Sequence, residues 1–147
     1  MRDEPITVPP TVQDKYPHMM PADIIIWTRY LKTNPFPQAR ISYDLHVGTP
    51  AGPLDGLTPE YQEMALALST KRIDAVVYET RRTGIVEVKP YAGSGAIGQV
   101  LTYRLLYIRE FPGSPQPIAM ILTDYPQRDT PWLCNQLNIV LITCPPD

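Results

Sequence analysis

Eighteen of the 147 residues are proline, and where they fall limits every element this chain can form. Proline locks φ near the helical value and lacks an N–H, so it suits a helix's first turn, strand edges and loops. Helix interiors and central strands reject it. Here the prolines lie between the periodic segments. Pro21, Pro59 and Pro131 sit where helices would begin, and Pro35, Pro90 and Pro112 where elements would stop. The chain must therefore be an assembly of short helices and strands joined by stiff loops. Pro5, Pro9 and Pro10 predict an extended N-terminal arm over residues 1–20. Residues 21–147 are expected to form one domain, a length sufficient to bury a core.

Between these marks the periodicity is readable. A helix is expected after Pro21, with Ala22 or Asp23 at its mouth, running through Ile24-Ile25-Ile26-Trp27 to about Thr33. Ile41, Tyr43, Leu45 and Val47 alternate with polar residues, as in a half-buried strand. Thr58-Pro59-Glu60 combines an N-cap, a first-turn proline and an acid near the positive end of the helix dipole, and opens a helix to about Ser69. Two strands follow, Arg72 to Glu79 and Gly84 to Pro90, with Arg81-Arg82 at the hairpin tip. Gly93-Ser94-Gly95 opens a helix of about fifteen residues, with an apolar stripe of Ile97, Leu101, Leu105 and Ile108 widened by Val100. Ile118 to Thr123 reads as a strand covered on both faces. A short helix from Asp129-Thr130-Pro131 and a strand from Ile139 to Cys144 complete the chain. The fold class is α/β, a mixed central sheet flanked by helices.

The residues that carry chemistry lie on the hairpin. In Ile85-Val86-Glu87-Val88-Lys89 the side chains alternate, so Glu87 and Lys89 share one face while Val86 and Val88 enter the other layer. With the tip at Arg81-Arg82, Asp74 falls opposite Lys89 and diagonal to Glu87. Two carboxylates and an ammonium then converge. A Glu-x-Lys by itself is usually the solvated face of an edge strand. A strand flanked by valines in the middle of the chain is a central one, where charges need a reason. Two carboxylates suit Mg²⁺ (or Mn²⁺), with the Val88 carbonyl as a third protein ligand. Such an ion would neutralise a phosphodiester and activate water, and Lys89 would orient that water or balance transition-state charge. Gln99 and Tyr103 stand one turn apart on the next helix, at the end nearest Lys89.

The series Arg72-Ile73-Asp74, Glu87-Val88-Lys89 and Gln99-x-x-x-Tyr103 resembles the PD-(D/E)XK nuclease superfamily, nearest to the branch of bacterial recombination helicase-nucleases and phage exonucleases. The resemblance covers about Met20 to Asp124. It implies an αβββαβ restriction-endonuclease-like core, here with a C-terminal αβ extension. It implies metal-dependent DNA hydrolysis with 5′-phosphate products, with Asp74 and Glu87 as metal ligands, Lys89 as the catalytic lysine, and Gln99 and Tyr103 organising the site or touching DNA. Many relatives carry a further acid inside the first helix. Here only Asp23 is available, near the helix N-terminus, and it is expected to stay outside the site. Ile73 stands where the superfamily's name has proline.

Lys71, Arg72, Arg81, Arg82 and Arg104 form the candidate nucleic-acid rim. A net charge of −2 and only 19 % charged residues argue against extensive non-specific DNA binding. They motivate a rival reading: a catalytically silent nuclease-like fold acting as a structural or DNA-binding component of a phage particle or recombination complex. In that reading the N-terminal arm grips a protein partner or a second copy of the chain. Gly93-x-Gly95-x-x-Gly98 has dinucleotide-fingerprint spacing but no acid about twenty residues on, so a nucleotide-binding domain is a third reading. Asp44, Asp55, Glu60, Glu63, His18 and His46 are expected to lie on the surface without a site role. Cys134 and Cys144 read as thiols rather than a disulfide framework. No apolar run spans a bilayer, so no membrane is expected, and the location is expected to be cytoplasmic, or virion-associated for a phage protein.

Overall fold

The computed structural model describes residues 2–145. Its elements are α1 (Pro21–Leu31), β1 (Arg40–Val47), α2 (Pro59–Ser69), β2 (Lys71–Tyr78), β3 (Thr83–Val88), α3 (Ser94–Glu110), β4 (Pro117–Thr123), α4 (Thr130–Gln136) and β5 (Val140–Thr143). The five strands form one sheet in the order β1-β2-β3-β4-β5. β2 runs antiparallel to both of its neighbours, β1 and β3, whereas β3, β4 and β5 run parallel. The fold is thus α/β with a mixed sheet flanked by helices. Among the described residues no helix is long and apolar enough to cross a membrane.

Proline does place the boundaries. Pro21, Pro59 and Pro131 occupy first turns of α1, α2 and α4, where an N–H would have no partner. The Thr58 hydroxyl accepts from the Tyr61 N–H at 3.4 Å and caps α2.

β3 is the axis of the molecule, and all six of its residues are buried. Val86 and Val88 pack with Ile26, Trp27 and Leu31 of α1 on one side. Ile85 packs with Tyr103 and Tyr107 of α3 on the other. The face that α3 buries differs from the expected stripe. Ala96, Ile97, Val100, Tyr103 and Tyr107 are buried, while Leu105 and Ile108 are exposed. Tyr103 and Tyr107 pack over Ile73, Val76 and Ile85, and this phase leaves Leu105 outside.

The N-terminal segment is extended but lies on its own domain. Val8 and Ile41 exchange backbone hydrogen bonds, each 2.8 Å long, along the outer edge of β1. Tyr16 and Met19 are buried in the core, and the Tyr16 ring lies 5.0 Å from that of Tyr43. The boundary at residue 20 therefore does not divide an arm from a domain. An edge strand's unpaired backbone groups invite other chains, and this segment occupies them at Ile41.

Candidate active site

The hairpin register differs from expectation by one step. Tyr78 pairs with Thr83 and Ala75 with Val86, and the turn closes where the Glu79 N–H donates to the Arg82 carbonyl at 3.0 Å. The tip is therefore Thr80-Arg81, and the same register carried one residue further sets Asp74 opposite Glu87 instead of Lys89. The change moves the partner by two residues, so every side chain keeps its face.

Near Asp74 the sheet itself is altered. Tyr43 and Ala75 pack on the α1 side, while Leu45 and Ile73, the next same-parity pair, pack on the α3 side. Between them lie Asp44, which adopts a left-handed φ of 52°, and Asp74. A single left-handed residue redirects a strand, and here β1 and β2 change faces together. Asp74 consequently leaves the ordinary ladder. Its Oδ2 accepts the Val88 N–H at 2.9 Å, a donor that strand pairing would otherwise have used. β3 continues beside β4 alone, with the Lys89 N–H donating to Leu122 at 3.0 Å. The ends of β2 and β3 thus splay around an acidic pair.

The cleft between these strand ends, the start of α1 and the first half of α3 has a volume of about 560 Å³. Asp74, Glu87, Val88, Lys89, Gln99 and Tyr103 all line it, so every expected catalytic or metal-ligating residue is present there. The Val88 side chain is buried on the α1 side, and its main chain is what reaches the cleft. Glu87 is 5 % exposed and, among the described residues, is the one buried residue with an ionisable acid. Burial, then repulsion from Asp74, pushes its carboxyl up to about 8. Burial likewise raises Asp74 to about 6, against the pull of the Val88 N–H. The two carboxyls act on one another, and the nearby Asp74 charge is the second cause of the rise at Glu87. Lys89 is exposed, and its charge favours ionisation of both. The Tyr103 hydroxyl is pushed up to about 12 by burial and by the charges of Glu87 and Asp74, so it stays neutral near the acids.

Asp23 corrects the sequence reading. It lines the same cleft and raises the proton affinity of both Asp74 and Glu87. Its own carboxyl is raised by burial, even though it accepts the Met20 N–H at 3.3 Å as the N3 acid of a capping box. The sequence signal was its place three residues after an N-cap. That signal indicates capping, and only the packing of α1 across the sheet adds the cleft. Even so, among the described residues no three His, Cys, Asp or Glu side chains gather closely enough to hold a metal. Asp74, Glu87 and the Val88 main chain offer oxygen donors at one strand end, a set that fits Mg²⁺, which retains several waters.

The proposed basic rim divides. Lys71 and Arg72 line the cleft. Arg72 donates to His18 Nδ1 and lies 3.7 Å from Asp44, so much of its charge is already engaged. Arg81 and Arg82 sit at the opposite end of the hairpin, and Arg82 lies 2.7 Å from Glu79. Arg104 donates to the Pro117 carbonyl at 2.9 Å, at the start of β4. These three do not border the acids, because the hairpin carries its turn away from them. His18, expected to have no site role, also lines the cleft. Asp44 is half-buried between His46 and Arg72, whereas Asp55, Glu60 and Glu63 are exposed. Gly93 is the N-cap of α3, and Gly95 and Gly98 are exposed on its first turns. Both cysteines are free.

No family model matches this chain, and no curated protein does. One solved structure, described as a protein of unknown function, AF1548, aligns with 14 % identity and a TM-score of 0.48. The alignment covers 78 % of this chain and 52 % of the other, so this chain spans about half of that protein's length.

Proposed function

We propose that this chain is a metal-dependent deoxyribonuclease of the PD-(D/E)XK type. The observation that supports the reading above all is the pairing of half-buried Asp74 with buried Glu87 at a splayed strand end beside Lys89. Two acids drawn out of bulk water side by side are costly unless they take up a proton or a cation. A fold that keeps them so has a use for what they bind. Asp74, Glu87 and the Val88 carbonyl would hold Mg²⁺ or Mn²⁺, and the ion when bound supplies Lewis-acid stabilisation and a more acidic water. The protein's own residues set up the rest. The Val88 N–H fixes the Asp74 carboxylate, and burial keeps Glu87 ready to exchange a proton for a cation. Lys89 balances charge on the phosphoryl oxygens or orients the attacking water. Water oxygen bonds to phosphorus, the P–O3′ bond breaks, and the leaving oxygen takes a proton, which gives a 5′-phosphate and a 3′-hydroxyl. Gln99 and Tyr103 position the substrate from α3.

The test is incubation of purified protein with DNA and Mg²⁺ or Mn²⁺. Cleavage that disappears in Lys89→Ala is the expected outcome.

One observation favours a second reading, in which the nuclease-like fold is silent and serves inside a phage particle or recombination complex. None of the residues of α2 is buried, and Tyr61, Met64 and Leu68 stand exposed on it. A protein that leaves DNA intact yet binds Mn²⁺ would support that reading.

A further inference from the structure

Beside the cleft, the loops that leave β3 and β4 carry two tyrosines on the outside of the molecule. Tyr91, two residues beyond Lys89, is 66 % exposed, and Tyr125 is 48 % exposed. Their rings stack on one another with centroids 5.7 Å apart and planes 23° apart. Apolar ring area left in water is unfavourable, yet the loops hold it firmly there. The Tyr125 N–H donates to the Pro90 carbonyl at 3.1 Å and the Gln127 N–H to the Ala92 carbonyl at 2.7 Å. The Thr123 hydroxyl donates to Pro90 at 3.0 Å, and the Ala92 N–H donates to that hydroxyl's oxygen at 3.2 Å. Pro90 itself lines the cleft. The pair is therefore a rigid aromatic step continuous with the acidic site, at the ends of parallel strands where α/β sheets commonly take ligands.

We infer that the Tyr91–Tyr125 step stacks an unpaired nucleobase of the strand whose phosphate is cleaved, so that the substrate is single-stranded DNA or an unpaired end. This inference rests on the nuclease reading. Base faces inside an intact duplex are covered by their neighbours, whereas a single strand offers them to aromatic side chains. Charge argues the same way. The net charge is −2, and the cations lining the cleft are Lys71, Lys89 and the partly engaged Arg72, a small set for gripping both strands of a duplex by their phosphates. Stacking supplies affinity that needs no cation.

The experiment measures fluorescence anisotropy of a labelled oligothymidylate, its blunt duplex and an abasic strand of equal length, with Ca²⁺ replacing Mg²⁺. The expected result is tighter binding of the single strand than of the duplex or abasic strand. Tyr91→Ala with Tyr125→Ala should lose about tenfold in single-strand affinity, and the two Phe replacements should retain it. Equal affinity for all three probes, or an Ala pair that binds like the unaltered protein, overturns the inference. Lys89-dependent cleavage that ignores the Ala pair overturns it while leaving the nuclease reading standing. A protein that binds no polynucleotide removes both.

Discussion

The β2–β3 hairpin carries acids and bases at each end, and the two ends have different chemistry. At the turn, Arg82 and Glu79 meet 2.7 Å apart with both side chains partly in water. Solvent screening limits such a pair to roughly 0–1 kcal/mol. At the far end Asp74 and Glu87 face each other under α1 and α3, and both carboxyls are raised well above their ordinary values. The residue types are alike, and what separates the ends is access to water. A wet ion pair does little, whereas a largely desolvated pair of acids is driven to take up a proton or a cation.

The largest effect should come from removing that second arrangement. Glu87→Gln and Lys89→Ala are each expected to lower Mg²⁺-dependent cleavage by on the order of 100-fold or more. Steady-state assay of matched, folded variants checks this, and activity within tenfold of the original would erase the contrast between the two ends.

A smaller effect concerns stability without metal. The folded chain holds protons on both carboxyls more tightly than the unfolded chain, whose ordinary values are 3.8 for Asp74 and 4.5 for Glu87. The stabilisation is thus complete below those values and is lost as pH rises through about 6 and about 8. Glu87→Gln should leave Tm unchanged near pH 4, and raise it by roughly 2–4 °C at pH 8, equivalent to about 1 kcal/mol. Thermal melts in a chelating buffer measure this. A Tm that falls at pH 8 on substitution would mean Glu87 is already compensated within the fold.

Asp23 sharpens the picture from the first helix. Asp23→Ala removes both a helix-capping acceptor and a charge that raises the other two acids. We expect a loss of about 0.5–1 kcal/mol in urea unfolding. The acidic limb of the pH–rate profile should shift to lower pH. If that limb stays put, Asp23 caps the helix and does nothing more.

The smallest effects belong to the turn. Arg81→Ala and Arg82→Ala should change stability by less than about 0.5 kcal/mol and leave cleavage within about twofold of the original, since neither borders the cleft. A clear loss of DNA binding in either variant would return the turn to the nucleic-acid rim.

Element boundaries were legible because their causes are local. Pro21, Pro59 and Pro131 start helices, Thr58 caps one, and alternating valines mark β3. The cleft's six expected residues were legible for a related reason. A period of two in strands and a spacing of four in a helix put side chains on known faces. The hairpin tip was misplaced by one residue because Thr80, Arg81 and Arg82 are all acceptable turn residues, and pairing across the sheet chooses among them. The phase of α3 was misread because Leu105 and Tyr103 stand on different faces of the helix, and it is the tyrosine that packs with Ile73, Val76 and Ile85 of β2 and β3.

The chain's own order of residues thus determined which segments become helices and strands, and which acids and amine share a strand face. It could not determine how dry that face would be. Dryness depends on α1 and α3 closing over the splayed strands, on β1 and β2 changing faces at Asp44 and Asp74, and on Asp23 arriving from far along the chain. Those are contacts between distant segments. The free energy of an ionised carboxyl follows the medium around it, and that medium exists only once the segments have packed.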